Sequence, residues 1–273
     1  MVQIAGTPLS HSIQNPKIMR IKPFQLLGAV ALLTLASFSV LQKKTKLYII
    51  GDSTAANKQP KAFPETGWGM ELQAFFNDEV TIDNRALNGR STKSFKTDVN
   101  ENTGKTTDHW QPIANQLAPD DYVFIEFGHN DEKTDKPTVG TSLAEFKANL
   151  IFYINESRNK KAIPVLLTPI ARRSFKKNIL IDTHGDYPAV TRRVADSLKV
   201  PLIDMLVMTE NLLKQLGDKP SIKLFNYVDS GNVNYPAGKK DNTHLSPEGA
   251  KAVANLVVKG IKDVKLDLAG KLK

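Results

Sequence analysis

Cysteine is absent from this chain of 273 residues. Its absence excludes disulfide bonds, thiolate metal sites and a cysteine nucleophile. Aromatic residues make up only 7% of the sequence, and no basic cluster is interleaved with them, so nothing indicates a nucleic-acid-binding surface. The remaining composition, 41% hydrophobic and 24% charged, is that of an ordinary globular protein.

Acidic residues are missing from the N-terminus, and this accounts for most of the net charge of +9. Residues 1–46 contain six lysines and arginines and no acid, so the rest of the chain carries only +3. A surplus of that size can help to attract an acidic polymer, but it does not identify one.

An export leader is predicted over residues 1–42, because two basic residues precede an apolar run at 24–41 and two more follow it. Met19 begins a more typical signal than Met1, which suggests a misassigned start codon. The leader is either cleaved or kept as an anchor, since its apolar run is of borderline length for a membrane span. Both alternatives place residues 43–273 in the periplasm or outside the cell.

Short apolar runs alternate with helix-like segments along residues 43–273. The predicted strands are 47–50, 80–87, 122–127, 163–170 and 202–205. The predicted helices are 69–76, 142–160, 188–199, 208–216 and 247–261. The polar segments expected to be loops are 92–108, 131–141, 171–187 and 229–243. This order predicts an α/β fold in which helices cover both faces of a parallel sheet, with ligands bound beyond the carboxyl ends of its strands.

Three residues near predicted strand ends or in loops suit nucleophilic catalysis. Ser53 follows the first strand in a Gly-Asp-Ser turn, and a serine hydroxyl needs a neighbouring base to become a nucleophile. His244 offers that base, and Asp241 is close enough in the chain to hold the imidazole in one tautomer. Taken singly, Ser53 can equally be a helix N-cap and the aspartate–histidine pair an ordinary solvated loop.

Acyl transfer also requires hydrogen-bond donors for the oxyanion that develops on the carbonyl. Gly89, after the second strand, leaves its backbone N–H accessible, and Asn130, after the third strand, offers a side-chain amide. The N–H of Ser53 completes the set. A turn glycine and a strand-end asparagine are common alone, so the prediction depends on finding all of these groups together.

Four segments resemble, in order, the sequence blocks of the SGNH, or GDSL-type, hydrolase superfamily: Gly51-Asp-Ser53, Gly89, Gly128-His-Asn-Asp131 and Asp241-Asn-Thr-His244. The resemblance covers residues 46 to about 262. The resemblance implies a three-layer flavodoxin-like fold with a five-stranded parallel sheet. It also implies Ser53 as nucleophile, His244 as base and Asp241 as its partner, with an oxyanion hole formed by Ser53, Gly89 and Asn130. Thr54 departs from the pattern, because the superfamily often has leucine after the serine.

Further motifs resemble the rhamnogalacturonan acetylesterases of that superfamily. They lie at residues 51–55, 67–69, 88–92, 127–131, 168–173, 184–188 and 241–245. The resemblance implies a secreted serine esterase that removes O-acetyl groups from an acetylated pectic polysaccharide or its oligosaccharides. Acetylxylan or another carbohydrate ester is the alternative substrate. No cofactor, metal or nucleic-acid partner is implied, and the oligomeric state is left open.

Five residues were considered for substrate contacts, each with an alternative role. Arg90, Arg172 and Arg173 suit bidentate pairing with uronate carboxylates, or else pair with acids of the protein itself. Trp68 offers a face for sugar stacking or packs in the core. His184 touches substrate or supports its loop.

Two other classes of protein remain as alternatives. A metal-dependent phosphoesterase would use oxygen and imidazole ligands, but the sequence offers fewer such groups than the site requires. The residues available to it are Asp52, His129, Asp131, Asp241 and His244. A catalytically silent carbohydrate-binding protein would not need the complete set of serine, histidine, aspartate and asparagine.

Overall fold

The computed structural model describes residues 1–3 and 44–273. The chain divides into two units, residues 1–43 and 44–273, and the fold described below is that of the second. The predicted leader lies outside the described residues except for its first three, so its cleavage or retention stays a prediction. Among the residues described, no helix is long and apolar enough to cross a membrane.

A five-stranded parallel sheet forms the centre of residues 44–273. Its strands are β1 (Thr45–Gly51), β2 (Val80–Asn84), β3 (Tyr122–Glu126), β4 (Ile163–Leu167) and β5 (Leu202–Ile203). They lie in the order β2-β1-β3-β4-β5, with every neighbouring pair parallel. This is the flavodoxin-like strand order. The predicted five-stranded parallel sheet is therefore confirmed.

Helices follow the strands along the chain. They are α1 (Trp68–Glu71), α2 (Gln111–Ala114), α3 (Leu143–Asn159), α4 (Tyr187–Leu198), α5 (Met205–Leu216), α6 (Asp218–Ser221) and α7 (Pro247–Asp263). Short 3₁₀ turns lie at Pro60–Ala62, Leu72–Phe75, Ile222–Leu224 and Asp267–Lys271. The two longest helices, α3 and α7, begin at capping serines, because Ser142 and Ser246 accept hydrogen bonds from backbone N–H groups of the first turn.

The alternation of side chains along β1 explains the three layers. Leu47 and Ile49 point to one face and pack in a core that includes α5 and α7. Tyr48 and Ile50 point to the other face and pack with α2, α3 and α4. All four side chains are completely buried, as expected for a sheet covered on both faces.

The polar segment 229–243 is not a continuous loop, so that prediction was wrong in its last part. Lys239–Leu245 is a strand, β7, paired antiparallel with β6 (Phe225–Val228). Its sequence, Lys-Lys-Asp-Asn-Thr-His-Leu, lacks the apolar alternation by which a half-buried strand is recognised. Backbone pairing with β6, which no local pattern reveals, supplies the structure instead.

Smaller departures also lie in the predicted loops. Asp98–Val99 pairs with Thr106–Thr107, and Phe175–Lys176 pairs with Ile179–Leu180, each as a two-residue ladder. Helix α5 begins at Met205, three residues before the predicted start, because the Asp204 carboxylate accepts the N–H of Val207 at 3.4 Å.

Candidate active site

Ser53, His244 and Asp241 form one hydrogen-bonded line at the carboxyl edge of the sheet. Ser53 lies two residues beyond the end of β1, and β7 carries the other two side chains to it. The Ser53 Oγ is 2.9 Å from His244 Nε2, and His244 Nδ1 is 2.8 Å from the Asp241 Oδ2. These distances suit transfer of the serine proton to the imidazole.

Asp241 is held as an acceptor for the imidazole. Partial burial of Asp241 opposes ionisation, but hydrogen bonds from the ring and backbone N–H of His244 and from the N–H of Thr243 hold the pKa of Asp241 well below its usual range. The two backbone bonds, at 2.8 and 3.0 Å, go to Oδ1 and leave Oδ2 for the ring. An ionised carboxylate there keeps the proton on Nδ1 and the lone pair of Nε2 toward Ser53.

The three predicted oxyanion donors lie on the turns that follow the adjacent strands β2, β1 and β3. Within residues 44–273, the N–H groups of Ser53 and Gly89 donate to no other protein group. Gly89 has φ +76°, a conformation that side-chain-bearing residues seldom adopt. The Asn130 amide donates to the Arg90 carbonyl at 3.0 Å, which fixes its orientation and leaves its second N–H for an acceptor.

Lys58 connects the nucleophile turn to the turn that carries Gly89. Its side chain has no exposed surface, and its ammonium donates to the Ser53 carbonyl at 2.5 Å and to Asn88 Oδ1 at 2.8 Å. Glu65 Oε1, at 2.7 Å, is its counter-ion. Burial lowers the pKa of Lys58, and the carboxylate of Glu65 opposes that effect. Lys58 could not be predicted from the sequence, since a single lysine in a turn carries no signal of its burial.

The charges beside His244 alternate in sign. Glu65 Oε2 lies 3.3 Å from the ammonium of Lys239, which in turn lies 3.1 Å from the Asp241 Oδ2. Ligand atoms of Glu65, Asp241 and His244 lie within 4.8 Å of one another, the single such group among residues 1–3 and 44–273. The ammonium groups of Lys58 and Lys239 already balance its carboxylates, so a divalent cation would have to compete with both.

The other residues considered as phosphoesterase ligands do not join that group. Asp52 lies 3.2 Å from His129 Nδ1. Asp131 is buried, and it accepts from the backbone N–H of Thr92 at 3.0 Å. Burial raises the pKa of Asp131 to about 7, against the effect of the hydrogen bonds from Thr92 and Thr141. The arrangement therefore gives the metal-dependent alternative no support.

Two buried carboxyl groups lie beneath the nucleophile turn and differ in charge. Burial and the nearby charge of Asp52 raise the pKa of Glu126 to about 8. Burial also opposes ionisation of Asp52, but the charge of His129 at 3.2 Å and the hydrogen bonds from Thr54 lower its pKa to about 2. At neutral pH, Asp52 is therefore ionised and Glu126 is a neutral acid.

The three arginines predicted to meet uronate carboxylates are paired with carboxylates of the protein. Arg173 is buried, and it also donates to Asn242 Oδ1 at 2.8 Å. The ion pairs are Arg90 with Asp98, Arg172 with Glu132 and Arg173 with Asp218. Internal pairing is therefore what the structure shows. This was one of the two roles stated for them from the sequence, and a contact of these side chains with a uronate stays a prediction.

Trp68 and His184 are also not substrate contacts in this structure. Trp68 is 0% exposed, and its indole N–H donates to Glu126 at 2.9 Å, so neither face is open to a sugar. His184 is 2% exposed, and its ring nitrogens lie 3.0 Å from Glu132 Oε2 and 2.9 Å from the Ile170 carbonyl oxygen. Both predictions of substrate contact are corrected to packing and support of the fold.

A serine, imidazole and carboxylate in line at the edge of a flavodoxin-like sheet define a carboxylic ester hydrolase. The family model described as the GDSL-like lipase/acylhydrolase family matches residues 49–252, and the chain belongs to that family. The resemblance stated from the sequence motifs is thereby confirmed.

Known proteins of similar sequence include two rhamnogalacturonan acetylesterases. That of Bacillus subtilis is 36% identical over 231 residues, covering 84% of this chain and 94% of the relative. That of Emericella nidulans is 26% identical over 235 residues, covering 79% and 84% respectively. The chain therefore spans nearly the full length of these relatives.

Two solved structures share the fold. A crystal structure of a Bacillus subtilis protein matches with a TM-score of 0.68 and 25% identity, covering 82% of this chain and 58% of that one. This chain thus spans little more than half of that protein. An acetylxylan esterase from Geobacillus stearothermophilus matches with a TM-score of 0.55 and 18% identity, covering 83% of this chain and 96% of that one.

Proposed function

We propose that this protein removes O-acetyl groups from a carbohydrate polymer, with acetylated rhamnogalacturonan as its substrate. The observation that carries the proposal is the line from Ser53 Oγ through His244 to the Asp241 carboxylate, at 2.9 and 2.8 Å. The names of the relatives supply the acyl group and the polymer, because rhamnogalacturonan acetylesterases match nearly the whole chain.

The geometry supports a two-step acyl transfer. Ser53 Oγ attacks the acetyl carbonyl carbon while His244 Nε2 takes the serine proton. The oxyanion is stabilised by the N–H groups of Ser53 and Gly89 and by the Asn130 amide. The imidazolium then protonates the sugar oxygen as the C–O bond to the sugar breaks. A water molecule, deprotonated by His244, attacks the acetyl-serine and releases acetate and free Ser53.

The pectic substrate is supported by the relatives and not by charge. The arginines are already paired with protein carboxylates, so a uronate would have to displace an internal partner. The strong dependence of activity on salt that exposed arginines would give is therefore not expected.

Acetate release distinguishes the substrates and tests the nucleophile. We expect higher kcat/KM on acetylated rhamnogalacturonan than on acetylated xylan, and loss of activity on both with Ser53→Ala, on the order of 10⁴-fold or more. Ser197→Ala, at an exposed serine of α4, is the matched control and should behave as wild type.

Each arm of this experiment has its own contrary result. Equal efficiency on xylan would overturn the pectic assignment alone. Retention of about a tenth of the activity in Ser53→Ala would overturn the serine mechanism. If the protein shows no activity on either polymer and an organophosphate does not label Ser53, the alternative of a catalytically silent carbohydrate-binding protein is favoured.

We propose further that the protein acts outside the cytoplasm, on the basis of the basic and apolar pattern of residues 1–42. The N-terminus of the protein recovered from cell fractions tests this proposal. A shortened N-terminus in the periplasm or medium is expected for a cleaved signal. An intact N-terminus in the membrane fraction would favour the anchor, and recovery from the cytoplasm would overturn export.

A further inference from the structure

A polar cavity of about 440 Å³ is lined in part by Arg90, on the turn that carries the predicted oxyanion donor Gly89. Arg90, which lines it, directly follows Gly89 in the chain, and the Arg90 carbonyl accepts the Asn130 amide at 3.0 Å. One lining residue of the cavity is therefore adjacent in the chain to one predicted oxyanion donor and hydrogen-bonded to another. Its volume lies within the range of about 300–1,000 Å³ that is usual for ligand pockets.

The walls of the cavity are the hairpin of Asp98–Val99 and Thr106–Thr107, with the turn between them, and part of the loop that precedes α3. They are held by side-chain contacts across the cavity. Arg90 lies 2.6 Å from Asp98 Oδ2, and the hydroxyl of Thr138 donates to Glu101 Oε1 at 2.8 Å. These contacts fix the side chains in place and favour a preformed site.

The chemistry of the lining indicates the kind of ligand. Asp98 and Glu101 contribute two carboxylates against the single guanidinium of Arg90, so the lining repels an added carboxylate. Carboxylates accept hydrogen bonds from hydroxyl groups, and the amide of Asn102 and the hydroxyl of Thr107 both donate and accept. A neutral sugar ring, which presents several hydroxyls and no charge, meets these requirements.

We propose that this cavity is a subsite for an uncharged sugar unit that flanks the acetylated unit held at Ser53. The proposal rests on the function proposed above. An acetyl group offers few contacts, so the binding energy that positions the ester must come from neighbouring sugars. A subsite one residue from Gly89 couples that binding directly to the oxyanion turn.

The double variant Glu101→Ala/Asn102→Ala removes two polar side chains from the exposed rim of the cavity. We expect KM for acetylated rhamnogalacturonan oligosaccharides to rise on the order of tenfold, the effect of losing one or two hydrogen bonds. The kcat/KM for a small aryl acetate, which does not reach the cavity, should stay within about twofold of wild type. Asn155→Ala/Glu156→Ala, the same residue types side by side on α3, is the matched control and should change neither.

An unchanged KM for the oligosaccharide would overturn the subsite, as would an equal loss with the aryl acetate. If wild type hydrolyses the aryl acetate but no acetylated carbohydrate, the proposed function fails, and the subsite fails with it. Asn102→Trp is a second variant, which fills the mouth of the cavity while leaving Glu101 in place. It tests whether an effect of the double variant comes from the cavity and not from a collapsed hairpin. It should raise the oligosaccharide KM in the same direction.

Unacetylated oligosaccharides, used as inhibitors of aryl acetate hydrolysis, test separately whether the charge of the lining selects an uncharged sugar. Wild type should bind xylo-oligosaccharides more tightly than oligogalacturonides, because only the latter carry carboxylates. Glu101→Gln keeps an acceptor for Thr138 but removes one charge, so it should bind oligogalacturonides several-fold more tightly and xylo-oligosaccharides unchanged. Tighter binding of oligogalacturonides by wild type would overturn the assignment of an uncharged sugar.

Discussion

Lys58→Met removes the ammonium that joins the Ser53 turn to the turn of Asn88 and Gly89. Methionine is unbranched and of similar length but carries no charge, so the variant tests the ammonium charge and its hydrogen bonds. Three acceptors lose their donor: the Ser53 carbonyl, Asn88 Oδ1 and Glu65 Oε1. Only Glu65 keeps another cation nearby, since Lys239 lies 3.3 Å away.

The structure sets the expected size of the effect. Removing one partner of a buried ion pair costs about 3–5 kcal/mol, and the side chains of Lys58 and Glu65 are 0% and 9% exposed. Because Glu65 retains Lys239, the lower end applies, which lowers Tm by roughly 6–12 °C in a domain of this size. Loss of a whole oxyanion donor lowers kcat about 10²–10³-fold, so displacement of the Gly89 turn should lower it by about 10–100-fold.

The assay is kcat and KM for a small aryl acetate, together with thermal unfolding. We expect kcat to fall while KM changes little, because the oxyanion contacts act mainly in the transition state. Lys61→Met, at an exposed lysine three residues further on, is the matched control. In Lys58→Met/Glu65→Gln both charges are gone, so stability should largely return while kcat stays low.

The refuting results separate positioning from stability. If Lys58→Met lowers Tm but keeps kcat within about twofold of wild type, Lys58 only stabilises the fold. If the double variant recovers kcat together with Tm, the loss of rate came from the uncompensated charge of Glu65. Loss of the Lys58 link between the Ser53 turn and the Gly89 turn would then not be the cause.

Three further predictions concern the site and its charges. Asn130→Ala should lower kcat by about 10²–10³-fold with little change in KM, and a pure KM effect would assign Asn130 to ground-state binding. Activity should fall on acidification, because only a neutral imidazole of His244 can accept the Ser53 proton. A rate that is flat from about pH 5 to 8, with chemistry limiting, would remove His244 from the mechanism. Burial and the charge of Asp52 raise the pKa of Glu126 to about 8, whereas a glutamate in the unfolded chain titrates at about pH 4. The neutral form of Glu126 therefore contributes its full stability to the fold below about pH 4, and this contribution is lost as the pH rises to about 8. Chemical denaturation between about pH 5 and 8 should therefore show a flatter decline for Glu126→Gln than for wild type, and identical slopes would contradict the raised pKa.

The sequence predicted the parts of the molecule that depend on local patterns. Buried strands appear as short apolar runs, and their order with the helices specifies a parallel sheet. Ser53, Gly89 and Asn130 were found because each lies within a few residues of the carboxyl end of such a strand. Asp241 and His244 were paired correctly because three residues separate them, so their contact is almost local.

Contacts between side chains that no local sequence pattern links could not be predicted. Lys58 and Glu65 pair inside the protein, although each is a charged residue that sequence statistics place at the surface. The sequence left the arginines with two alternative roles for the same reason, because it does not reveal which carboxylates of the protein lie beside them. Strand β7 was not predicted because its polar sequence shows no apolar alternation. Its backbone pairs with β6 although most of its side chains are not buried.

The departure at Thr54 from the leucine that is frequent in the superfamily has a physical explanation in this structure. The Thr54 hydroxyl donates to Asp52 Oδ1 at 2.9 Å and lies 3.2 Å from Glu126 Oε2. One hydroxyl proton cannot serve two carboxylates, so a neutral Glu126 donates to Thr54, and Thr54 donates to the ionised Asp52. Leucine here would leave both buried carboxyl groups without this link. Because Asp52 and Thr54 flank Ser53, the same chain of hydrogen bonds that makes Glu126 tolerable in the core also fixes the backbone on both sides of the nucleophile.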